Sequence, residues 1–317
     1  MSKPQIIIIG AGIAGMAAAR MLADANYAPL VIDKGRGMSG RMATRRWDEA
    51  TFDHGAQYFS ARTDEFQAFV DNAAEAIKPW MSVSSGRLHP RWIGTNGMNS
   101  IPKLLAKNIN VLKKKKVTRI KQLEDGWQVQ TDTQDVYQAE ALLITIPAPQ
   151  AIQLLENSQI ELPANPLPTI AYHPCLVVLA KLDQPSGIPV PGGLSTNGAV
   201  VSWMADNFKK GISKTPAVTL HASPEFSTQH LDGDLQAAGQ VMLETVQDIL
   251  LPAQVTDWKV HRWRYSLCYQ RHNEPFWPAG TKFPLLFGGD GFGETANVEG
   301  AFLSGKTMAK KVLERLD

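Results

Sequence analysis

The fold is decided near the beginning of the sequence by Ile6-Ile7-Ile8-Ile9-Gly10-Ala11-Gly12-Ile13-Ala14-Gly15. The four β-branched residues predict a strand that is buried on both faces of a parallel sheet. The glycines that follow have the spacing GxGxxG, and the alanine-rich residues 16–25 predict a helix. The apolar residues 30–32 predict a second strand, which ends at Asp33. This order of strand, tight turn, helix, strand and acid predicts a dinucleotide-binding α/β unit; a glycine-rich turn in an ordinary α/β protein is the alternative.

The residues of this turn suit a diphosphate. Gly10 permits the turn, Gly12 lets the backbone approach a pyrophosphate, and Gly15 allows the helix to pack closely on the strand. The start of the helix offers free N–H groups to the phosphates. Asp33 can accept hydrogen bonds from a ribose and would repel a 2′-phosphate, which disfavours NADP at this site.

A second glycine-rich loop follows directly and favours FAD over NAD as the ligand. Residues 34–42 read KGRGMSGRM, so Arg41 can neutralise a phosphate from the side opposite the first loop. FAD can contact this second loop because its flavin extends beyond the pyrophosphate. A mobile basic loop is the structural alternative.

Length and composition limit the class of protein. The 317 residues suggest two domains, and 44% hydrophobic residues provide ample material for a packed core. Lys and Arg total 32 against 30 Asp and Glu, and the net charge of +2 argues against a dedicated nucleic-acid binder. Two cysteines, Cys175 and Cys268, cannot form a disulfide framework and fit a reducing compartment. No apolar run reaches the ~20 residues of a membrane span, and residues 6–19 read as mature structure rather than a cleaved signal, so we expect a cytoplasmic protein.

Beyond these loops the chain resembles the renalase-like branch of the FAD-dependent (flavin-containing) amine oxidase superfamily. The resemblance is carried, in the family's order, by residues 33–34 (DK), 39–44 (SGRMAT), 53–59 (DHGAQYF), 97–101 (GMNSI), 143–149 (LITIPAP), 263–266 (WRYS), 288–293 (GGDGFG) and 297–301 (NVEGA). Asp33 and Ser39 stand where the wider superfamily usually has Glu and Gly, and both differences look like renalase rather than monoamine oxidase. Residues from about 155 to 255 carry no motif that we can place and should hold much of the substrate wall.

The resemblance implies an α/β fold, in which a substrate domain with a mixed β-sheet is inserted into an FAD/NAD(P)-binding (Rossmann-like, GR2-type) domain. Residues 1–62, 95–150 and 270–317 would form the FAD-binding domain, because the flavin-binding motifs lie there. Residues 63–94 and 151–269 would form the substrate domain, with the ligand in the crevice between the two. Further strands are expected at residues 117–120, 134–146, 175–180, 218–221 and 285–287, and helices at residues 234–250 and 300–316.

The turn chemistry and the resemblance together give a set of cofactor-binding candidates. Asp290, at a glycine-rich strand end, can bind ribityl hydroxyls. Free N–H groups near residues 298–301 can face the flavin edge on which negative charge develops, although a plain surface helix is the alternative. The complete set is Gly10, Gly12, Ile13, Ala14, Gly15, Asp33, Lys34, Gly40, Arg41, Met42, Gln57, Tyr58, Val117, Gly289, Asp290, Val298 and Ala301.

The substrate pocket is expected to contain aromatic and cationic side chains. An aromatic surface can stack on a planar substrate ring, and an Arg can hold a phosphate or carboxylate. For Trp263, a core position on an alternating strand is the competing interpretation. The candidates are His54, Tyr58, Trp263 and Arg264, with Arg91, Trp92 and Trp203 as weaker ones.

The cysteine near the end of the chain bears on how the flavin is held. Monoamine oxidases tether flavin through a cysteine near the position of Cys268. A buried free thiol is the commoner state of a cysteine, so we expect FAD to be bound non-covalently.

Two other patterns point to different chemistry. Residues 300–307 (GAFLSGKT) satisfy the P-loop pattern, but polar and acidic residues precede them where a strand is required. The basic run at residues 113–116 reads as a solvated turn rather than a nucleic-acid patch. The seven histidines have no metal-ligand spacing and no GxSxG occurs, so neither a metal site nor acyl transfer is expected.

The resemblance implies an FAD-dependent oxidase that accepts a hydride from a small substrate. Renalase-like proteins oxidise the 1,2- and 1,6-dihydro isomers of NAD(P)H to NAD(P)+ and pass the electrons to dioxygen, which gives hydrogen peroxide. Hydride transfer requires geometry more than acid–base help, which agrees with the lack of an obvious catalytic base. An amine oxidase acting on a small amine is the alternative, and a P-loop-type nucleotide-binding protein is the remote one. Neither nucleic acid nor a membrane is expected as a partner.

Overall fold

A computed structural model describes residues 6–84 and 87–316; residues 1–5, 85–86 and 317 of the expected domain ranges lie outside the described residues. The strands are β1 (Ile6–Ile9), β2 (Leu30–Ile32), β3 (Thr44–Trp47), β4 (Ala50–Asp53), β5 (Ile77–Ser84), β6 (Arg87–Gly94), β7 (Asn110–Leu112), β8 (Val117–Leu123), β9 (Gly126–Thr131), β10 (Val136–Ala139), β11 (Ala141–Ile144), β12 (Ala171–Leu182), β13 (Gly193–Ser195), β14 (Val201–Asp206), β15 (Ala217–Ala222), β16 (Val255–Gln270), β17 (Phe276–Pro278) and β18 (Leu285–Gly288). The helices are α1 (Ile13–Asp24), α2 (Asp64–Asp71), α3 (Ser100–Leu105), α4 (Ala148–Ser158), α5 (Pro224–Gln229), α6 (Leu235–Leu250) and α7 (Val298–Leu316), with a 3-10 turn at Leu167–Thr169.

A six-stranded sheet in the order β17-β18-β11-β1-β2-β7 forms the centre of the fold. β1 is parallel to both of its neighbours, with Ile8 beside Val31 of β2 and Leu143 of β11. The side chains of β1 are buried on both faces, as the run of four isoleucines predicts. β18 is parallel to β11, so strands from the beginning, middle and end of the chain lie side by side.

Helices α1 and α7 pack directly on each other over this sheet. The contact is close because Gly305 of α7 has no side chain: a Cβ there would lie 2.0 Å from the backbone oxygen of Ala14 in α1. Helix α7 therefore holds residues near both ends of the chain together.

A five-stranded sheet in the order β13-β14-β15-β12-β16 forms the second large layer. Successive side chains along its strands point to opposite faces of the sheet. Val178 and Leu220 are in the core beneath α6, whereas Val177 and Leu179 pack on Phe52 of the β3–β4 hairpin. One face of this sheet thus carries α6, and the other faces the first part of the chain.

Smaller elements connect the two layers. Helix α2 packs on α7 through the rings of Phe66 and Phe302, 5.0 Å apart, so this part of residues 63–94 lies against the central sheet's helices. Trp80 of β5 donates from Nε1 to the backbone oxygen of Pro191, 2.9 Å away. The division into FAD-binding and substrate domains stays a prediction.

Most of the expected elements are present, with three differences. The expected strand region 134–146 separates into β10, in a three-stranded sheet with β8 and β9, and β11 in the central sheet. The first helix begins at Ile13 rather than at residue 16, because the glycine turn continues directly into it. The P-loop alternative is wrong: residues 300–307 lie within α7, whose helical hydrogen bonds occupy the amides that such a loop needs.

Among the described residues, no helix is both long enough and apolar enough to cross a bilayer.

Candidate functional site

A cleft of about 1550 Å³ runs between the central sheet and the five-stranded sheet. The start of α1, the loops after β2 and β4, and the residues that follow β11 line one side of it. Residues of β15 and β16 line the other side, and the loop after β18 and the start of α7 complete it. The cleft thus lies at the carboxyl ends of β1, β2 and β11, where open α/β sheets bind their ligands.

The glycine turn after β1 has the geometry that its sequence predicts. Gly10 has φ +112°, and a Cβ on it would lie 2.7 Å from Oγ1 of Thr145. A Cβ on Gly15 would lie 2.0 Å from the oxygen of Gly10, so Gly15 serves helix–strand packing and does not line the cleft. Gly12 is the N-cap of α1 and provides no side-chain acceptor, which leaves the first amides of the helix open toward the cleft.

Asp33 joins the two glycine loops. Its Oδ2 accepts a hydrogen bond from the amide of Ala11 at 2.6 Å, and its Oδ1 accepts one from the amide of Gly35 at 2.6 Å. Each carboxylate oxygen retains a lone pair, so the ribose contact expected of Asp33 remains available. The neighbouring Lys34 donates to Oε1 of Gln150, and burial followed by the charge of Lys116 lowers its pKa.

Arg41 and Asp290 bind each other. The guanidinium donates to both carboxylate oxygens, at 2.6 and 2.5 Å, and Arg41 also donates to the backbone oxygen of Ser266 at 3.3 Å. Burial alone would lower the pKa of Arg41, but Asp290 raises it above its usual value. Arg41 was expected to contact a phosphate and Asp290 to contact ribityl hydroxyls. In this structure the two side chains are hydrogen-bonded to each other. This pair also fastens the loop after β2 to the loop after β18.

The start of α7 differs in part from the expected set of free amides. Val298 and Ala301 line the cleft, as does Gly289, which has φ +128°. However, the amide of Gly300 donates to Oδ1 of Asn297 at 2.8 Å, and that of Ala301 donates to the backbone oxygen of Asn297 at 3.0 Å. The amides of Gly300 and Ala301 are therefore occupied, and the expectation of free N–H groups applies only to residues 298 and 299.

His54 and Trp263 form part of the cleft wall. Their rings stack with centroids 5.3 Å apart, and Nε1 of Trp263 donates to the backbone oxygen of His54 at 2.7 Å. His261 meets the His54 ring edge-on at 4.6 Å. Burial, followed by the proximity of His261, lowers the pKa of His54 to about 3, so His54 is neutral at physiological pH and does not donate a proton as an acid.

Tyr58 lies in an aromatic group at another part of the wall. Its ring centroid is 5.7 Å from those of Trp80 and Trp203, and the guanidinium of Arg91 lies 4.0 Å above the ring. Trp203 lines the cleft beside it, whereas Trp92 pairs through its backbone with Phe59. Of the three weaker candidates, Trp203 lines the cleft, whereas Arg91 and Trp92 are not among its lining residues.

The expectation that Arg264 lies beside the cofactor with Trp263 is corrected by the structure. Successive residues of β16 point to opposite faces of the sheet. Trp263 points to the cleft, and the guanidinium of Arg264 points the other way and pairs with Asp232 at 2.5 Å. Arg262 also pairs with Asp232, with 3.3 Å between Nη1 and Oδ1. The side chain of Arg264 is therefore exposed and pairs with Asp232 on the face of β16 opposite Trp263.

Three functional candidates were missed by the sequence analysis: His221, His261 and Lys210. His221 and His261 line the cleft, and Lys210 forms a fully buried ion pair with Asp53 at 2.9 Å. The available signal was a histidine interrupting the apolar strand pattern at residues 217–222. The Lys210–Asp53 pair joins positions 157 residues apart, and nothing local in the sequence indicates it.

Comparisons with known proteins agree with this geometry. The family model for an NAD(P)-binding Rossmann-like domain matches residues 8–73. The model for flavin containing amine oxidoreductases matches residues 75–313, which is most of the chain. The chain belongs to the flavin-containing amine oxidoreductase family. It is thus an FAD-dependent oxidoreductase with a Rossmann-like nucleotide-binding fold.

Within this family the chain is renalase-like. It is 28% identical to renalase of Mus musculus over 349 residues, which covers 98% of this chain and 99% of that protein. The fold is similar to that of putrescine oxidase bound to putrescine, with a TM-score of 0.74 and 14% identity over 99% of this chain and 100% of the other. Cyclohexylamine oxidase from Brevibacterium oxydans gives a TM-score of 0.75 at 14% identity, with the same coverage.

The flavin cofactor of this family fits the residues present. A dinucleotide of this size requires an open helix start and a close backbone approach for its diphosphate. The uncapped start of α1 supplies the first. Gly12 and Gly40 allow the close backbone approach. A Cβ on Gly40 would lie 3.1 Å from the Cα of Gly12 and would narrow the space between the two loops. All the predicted cofactor-binding residues except Gly15 line the cleft.

Proposed function

We propose that this chain oxidises isomeric dihydro forms of NAD(P), with dioxygen as the final electron acceptor. Bound FAD would supply the hydride acceptor for this reaction and the route by which its two electrons reach dioxygen. The overall reaction consumes one dihydronicotinamide, one dioxygen and one proton, and it yields one NAD(P)+ and one hydrogen peroxide. The relationship to renalase supports this substrate class.

The observation that carries the proposal is the charge of the cleft wall. Acidic side chains among the described lining residues are Asp33 and Asp290, and both are already engaged by backbone amides or by Arg41. A wall of this charge attracts phosphate-bearing ligands, namely FAD and a second nucleotide. The cationic lining residues that do not pair with Asp232 are Lys34, Arg36, Arg41, Arg45, Arg62, Lys103, Lys113, Lys115 and Lys116, of which Arg41 pairs with Asp290 and Lys115 with Asp135.

The state of the cleft histidines also supports hydride transfer without proton abstraction. Burial is the first cause that lowers the pKa of His54 to about 3, and that of His221 and His261 to about 4. All three are neutral near pH 7, and a base of such low pKa is poorly matched to removing a proton there. A dihydronicotinamide loses hydride without first losing a proton, so the side chains need only orient it.

A small amine is less well suited to this cleft. An aromatic cage for an amine needs open ring faces. Here Arg91 covers one face of Tyr58, and the rings of Tyr58 and Trp203 are tilted at 55° rather than parallel. A panel of primary amines should therefore leave peroxide production at the background rate, and a sustained rate with any of them would favour the amine oxidase alternative.

We propose further that FAD is held without a covalent bond and that the protein works in a reducing, cytoplasmic compartment. Cys268 is buried in the hydrophobic core, and burial raises the pKa of its thiol to about 11. Cys175 borders the cleft, but burial raises its pKa to about 12. Neither thiol is a ready nucleophile. Acid precipitation of the purified protein should release all of the flavin into the supernatant.

The substrate proposal is tested by anaerobic titration of the flavin-loaded protein. The 1,2- and 1,6-dihydro isomers of NADH should each bleach the oxidised flavin absorbance with one equivalent, and readmitted dioxygen should restore it with one equivalent of peroxide. Ordinary 1,4-NADH serves as the matched control and should react far more slowly. An unchanged flavin spectrum with both isomers would overturn the proposal.

A further inference from the structure

The buried side chain of Gln57 has its amide orientation fixed by its neighbours. Its Nε2 lies 2.6 Å from the backbone oxygen of Asp53 and 3.1 Å from that of Gly55. Carbonyl oxygens only accept hydrogen bonds, so the group that faces them is the NH2 of the amide. The amide oxygen consequently faces Lys210, whose Nζ lies 3.4 Å from it.

The same NH2 group fixes the tautomer of His221. The amide nitrogen lies 3.3 Å from Nε2 of His221. An amide nitrogen does not accept hydrogen bonds, so a proton on that Nε2 would face the amide protons. Nε2 is therefore an acceptor that shares the two amide protons of Gln57 with the oxygens of Asp53 and Gly55, and the single ring proton resides on Nδ1.

The surroundings of His221 keep its ring neutral. Burial and then the charge of Lys210 lower the pKa of His221 to about 4. The charged and titratable groups that interact with the ring are Lys210, which pairs with Asp53, and His54. Within residues 6–84 and 87–316, none of these offers an unpaired negative charge that would stabilise an imidazolium.

Strand β15 presents this ring to the cleft. His221 alternates to the same sheet face as Thr219, which donates from Oγ1 to the backbone oxygen of Asp53 at 3.0 Å. Trp203 lies directly opposite His221 on β14, and both residues line the cleft. The two nitrogens of an imidazole point in nearly opposite directions, so Nδ1–H is turned away from Gln57. No acceptor for it occurs among the residues that the structure describes.

We propose that His221 is a substrate-binding residue that donates its Nδ1–H to an uncharged hydrogen-bond acceptor on the substrate ring, the carboxamide oxygen of a dihydronicotinamide. The neutral donor follows from the contacts of Gln57, whereas the carboxamide rests on the function proposed above. A primary ammonium is itself a donor, so it cannot use this position, and Lys210 would repel it. Gln57 is a positioning residue in this arrangement, because it acts through His221.

The first measurement is the tautomer of His221 in the flavin-loaded protein, read from its side-chain ¹⁵N resonances between pH 5 and 8. We expect a protonated Nδ1, an unprotonated Nε2 and no titration in this range. The Nε2–H tautomer, or a midpoint between pH 5.5 and 8, would overturn the proposal. In Gln57→Glu the carboxylate accepts rather than donates, so the proton should move to Nε2. If this variant does not fold, the wild-type spectrum alone decides.

The second measurement is the affinity for the product-like dinucleotide NAD+ and for its 3-acetylpyridine analogue, which keeps the carbonyl oxygen but lacks the amide donor. The wild-type protein should bind both with similar affinity. His221→Phe should weaken both about tenfold, the usual effect of losing one neutral hydrogen bond. His230→Phe, away from the cleft, is the matched control and should change neither. Wild-type affinity in His221→Phe would overturn the assignment.

The two proposals fail in different ways. If the dihydronicotinamide isomers are not oxidised but the tautomer and the loss of affinity are observed, the function is wrong and the neutral donor site stands. If the isomers are oxidised but His221→Phe binds both dinucleotides normally, the function stands and this assignment of His221 is wrong.

Discussion

Lys210 and Asp53 form an ion pair from which water is excluded. Both side chains have 0% exposure, and the second oxygen of Asp53 accepts from Oγ1 of Thr44 at 2.6 Å and from the amide of Met98 at 2.8 Å. Removing the lysine leaves a buried carboxylate without its counter-charge. Lys210→Met should therefore lower the free energy of unfolding by about 3–5 kcal/mol, measured by urea denaturation.

The matched control for this substitution is Lys181→Met. Lys181 also pairs with an aspartate, but that partner, Asp48, is exposed. Exposed pairs contribute little, so the stability should hardly change. Equal losses in the two variants would show that burial of the Lys210 pair has no special effect.

The Arg41–Asp290 pair should matter more for the cofactor than for the fold. Asp290→Asn keeps the size of the side chain but weakens both charge-assisted bonds to Arg41, which then no longer fixes the loop near Gly40. Loss of such bonds should raise the dissociation constant for FAD about tenfold to a hundredfold, measured by flavin fluorescence on rebinding to the apoprotein. Asp232→Asn removes the exposed partner of Arg264 and should leave FAD affinity unchanged; a similar effect from both would contradict the prediction.

At the residue scale, the sequence predicted contacts that depend on local spacing. The positions of Gly10, Gly12 and Asp33 follow from a turn of fixed length between two strands, and the structure confirms this turn. The partner of Lys210 depends on how two distant layers meet, which no local pattern records. The direction of Arg264 was predictable in principle, because Trp263 and Arg264 are adjacent on a strand and cannot share a face.

Among the elements, the contact between α1 and α7 depends on a residue without a side chain. Gly305→Ala would gain helix propensity of about 1 kcal/mol. That gain is smaller than the cost of placing a Cβ 2.0 Å from the oxygen of Ala14, because overpacking of this kind costs roughly 1–3 kcal/mol and the helices must separate. We therefore expect a net loss of stability and of bound FAD, measured by thermal unfolding with and without added cofactor.

The control for this prediction is Gly37→Ala in the second glycine loop. A Cβ at Gly37 would have no heavy atom within 4 Å, so stability should be retained. If Gly305→Ala were as stable as Gly37→Ala, the helices would not need their close approach.

Elements were predictable where the periodicity was unbroken. The isoleucine run of β1 and the amphipathic pattern of α7 gave the correct type and nearly the correct bounds. The region 134–146 was harder, because β10 and β11 are separated by a single residue, Glu140, and belong to different sheets. The packing of the layers determines that the chain changes sheets at Glu140, and the local hydrophobic pattern does not indicate this change.

The molecule as a whole should lose stability as the pH falls below about 6.5. His54, His221 and His261 have folded-state pKa values lowered to between about 3 and 4, primarily by burial, whereas their unfolded values are near 6.5. Between these limits the unfolded chain binds protons that the folded protein excludes, so stability rises with pH in this window. Each histidine contributes at most about 1.4 kcal/mol per pH unit, the limit for a difference of one whole proton.

Comparison of His261→Phe with the wild type isolates one of these contributions. The slope of unfolding free energy against pH between 4.5 and 6 should be smaller in the variant by about 1 kcal/mol per unit. Identical slopes would mean that His261 is protonated in the folded protein.

The cationic cleft should also make substrate capture dependent on salt. The rate constant for flavin reduction at limiting substrate should fall between 25 and 300 mM NaCl for a dihydronicotinamide dinucleotide, because added ions screen the long-range attraction. The corresponding riboside carries no phosphate and provides the comparison, with little change expected. Equal salt dependence of the two would indicate that the wall does not steer the substrate.

The order of strands in the central sheet has a consequence for biosynthesis. β1 is made first but obtains its neighbour β11 only after more than a hundred further residues, and β11 in turn pairs with β18, made later still. While the ribosome is still elongating the chain, the isoleucines of β1 have no partner on that side. We expect the nascent protein to depend on chaperones until α7 emerges and covers α1. Ribosome-stalled chains ending near residue 150 should remain protease-sensitive throughout residues 6–32.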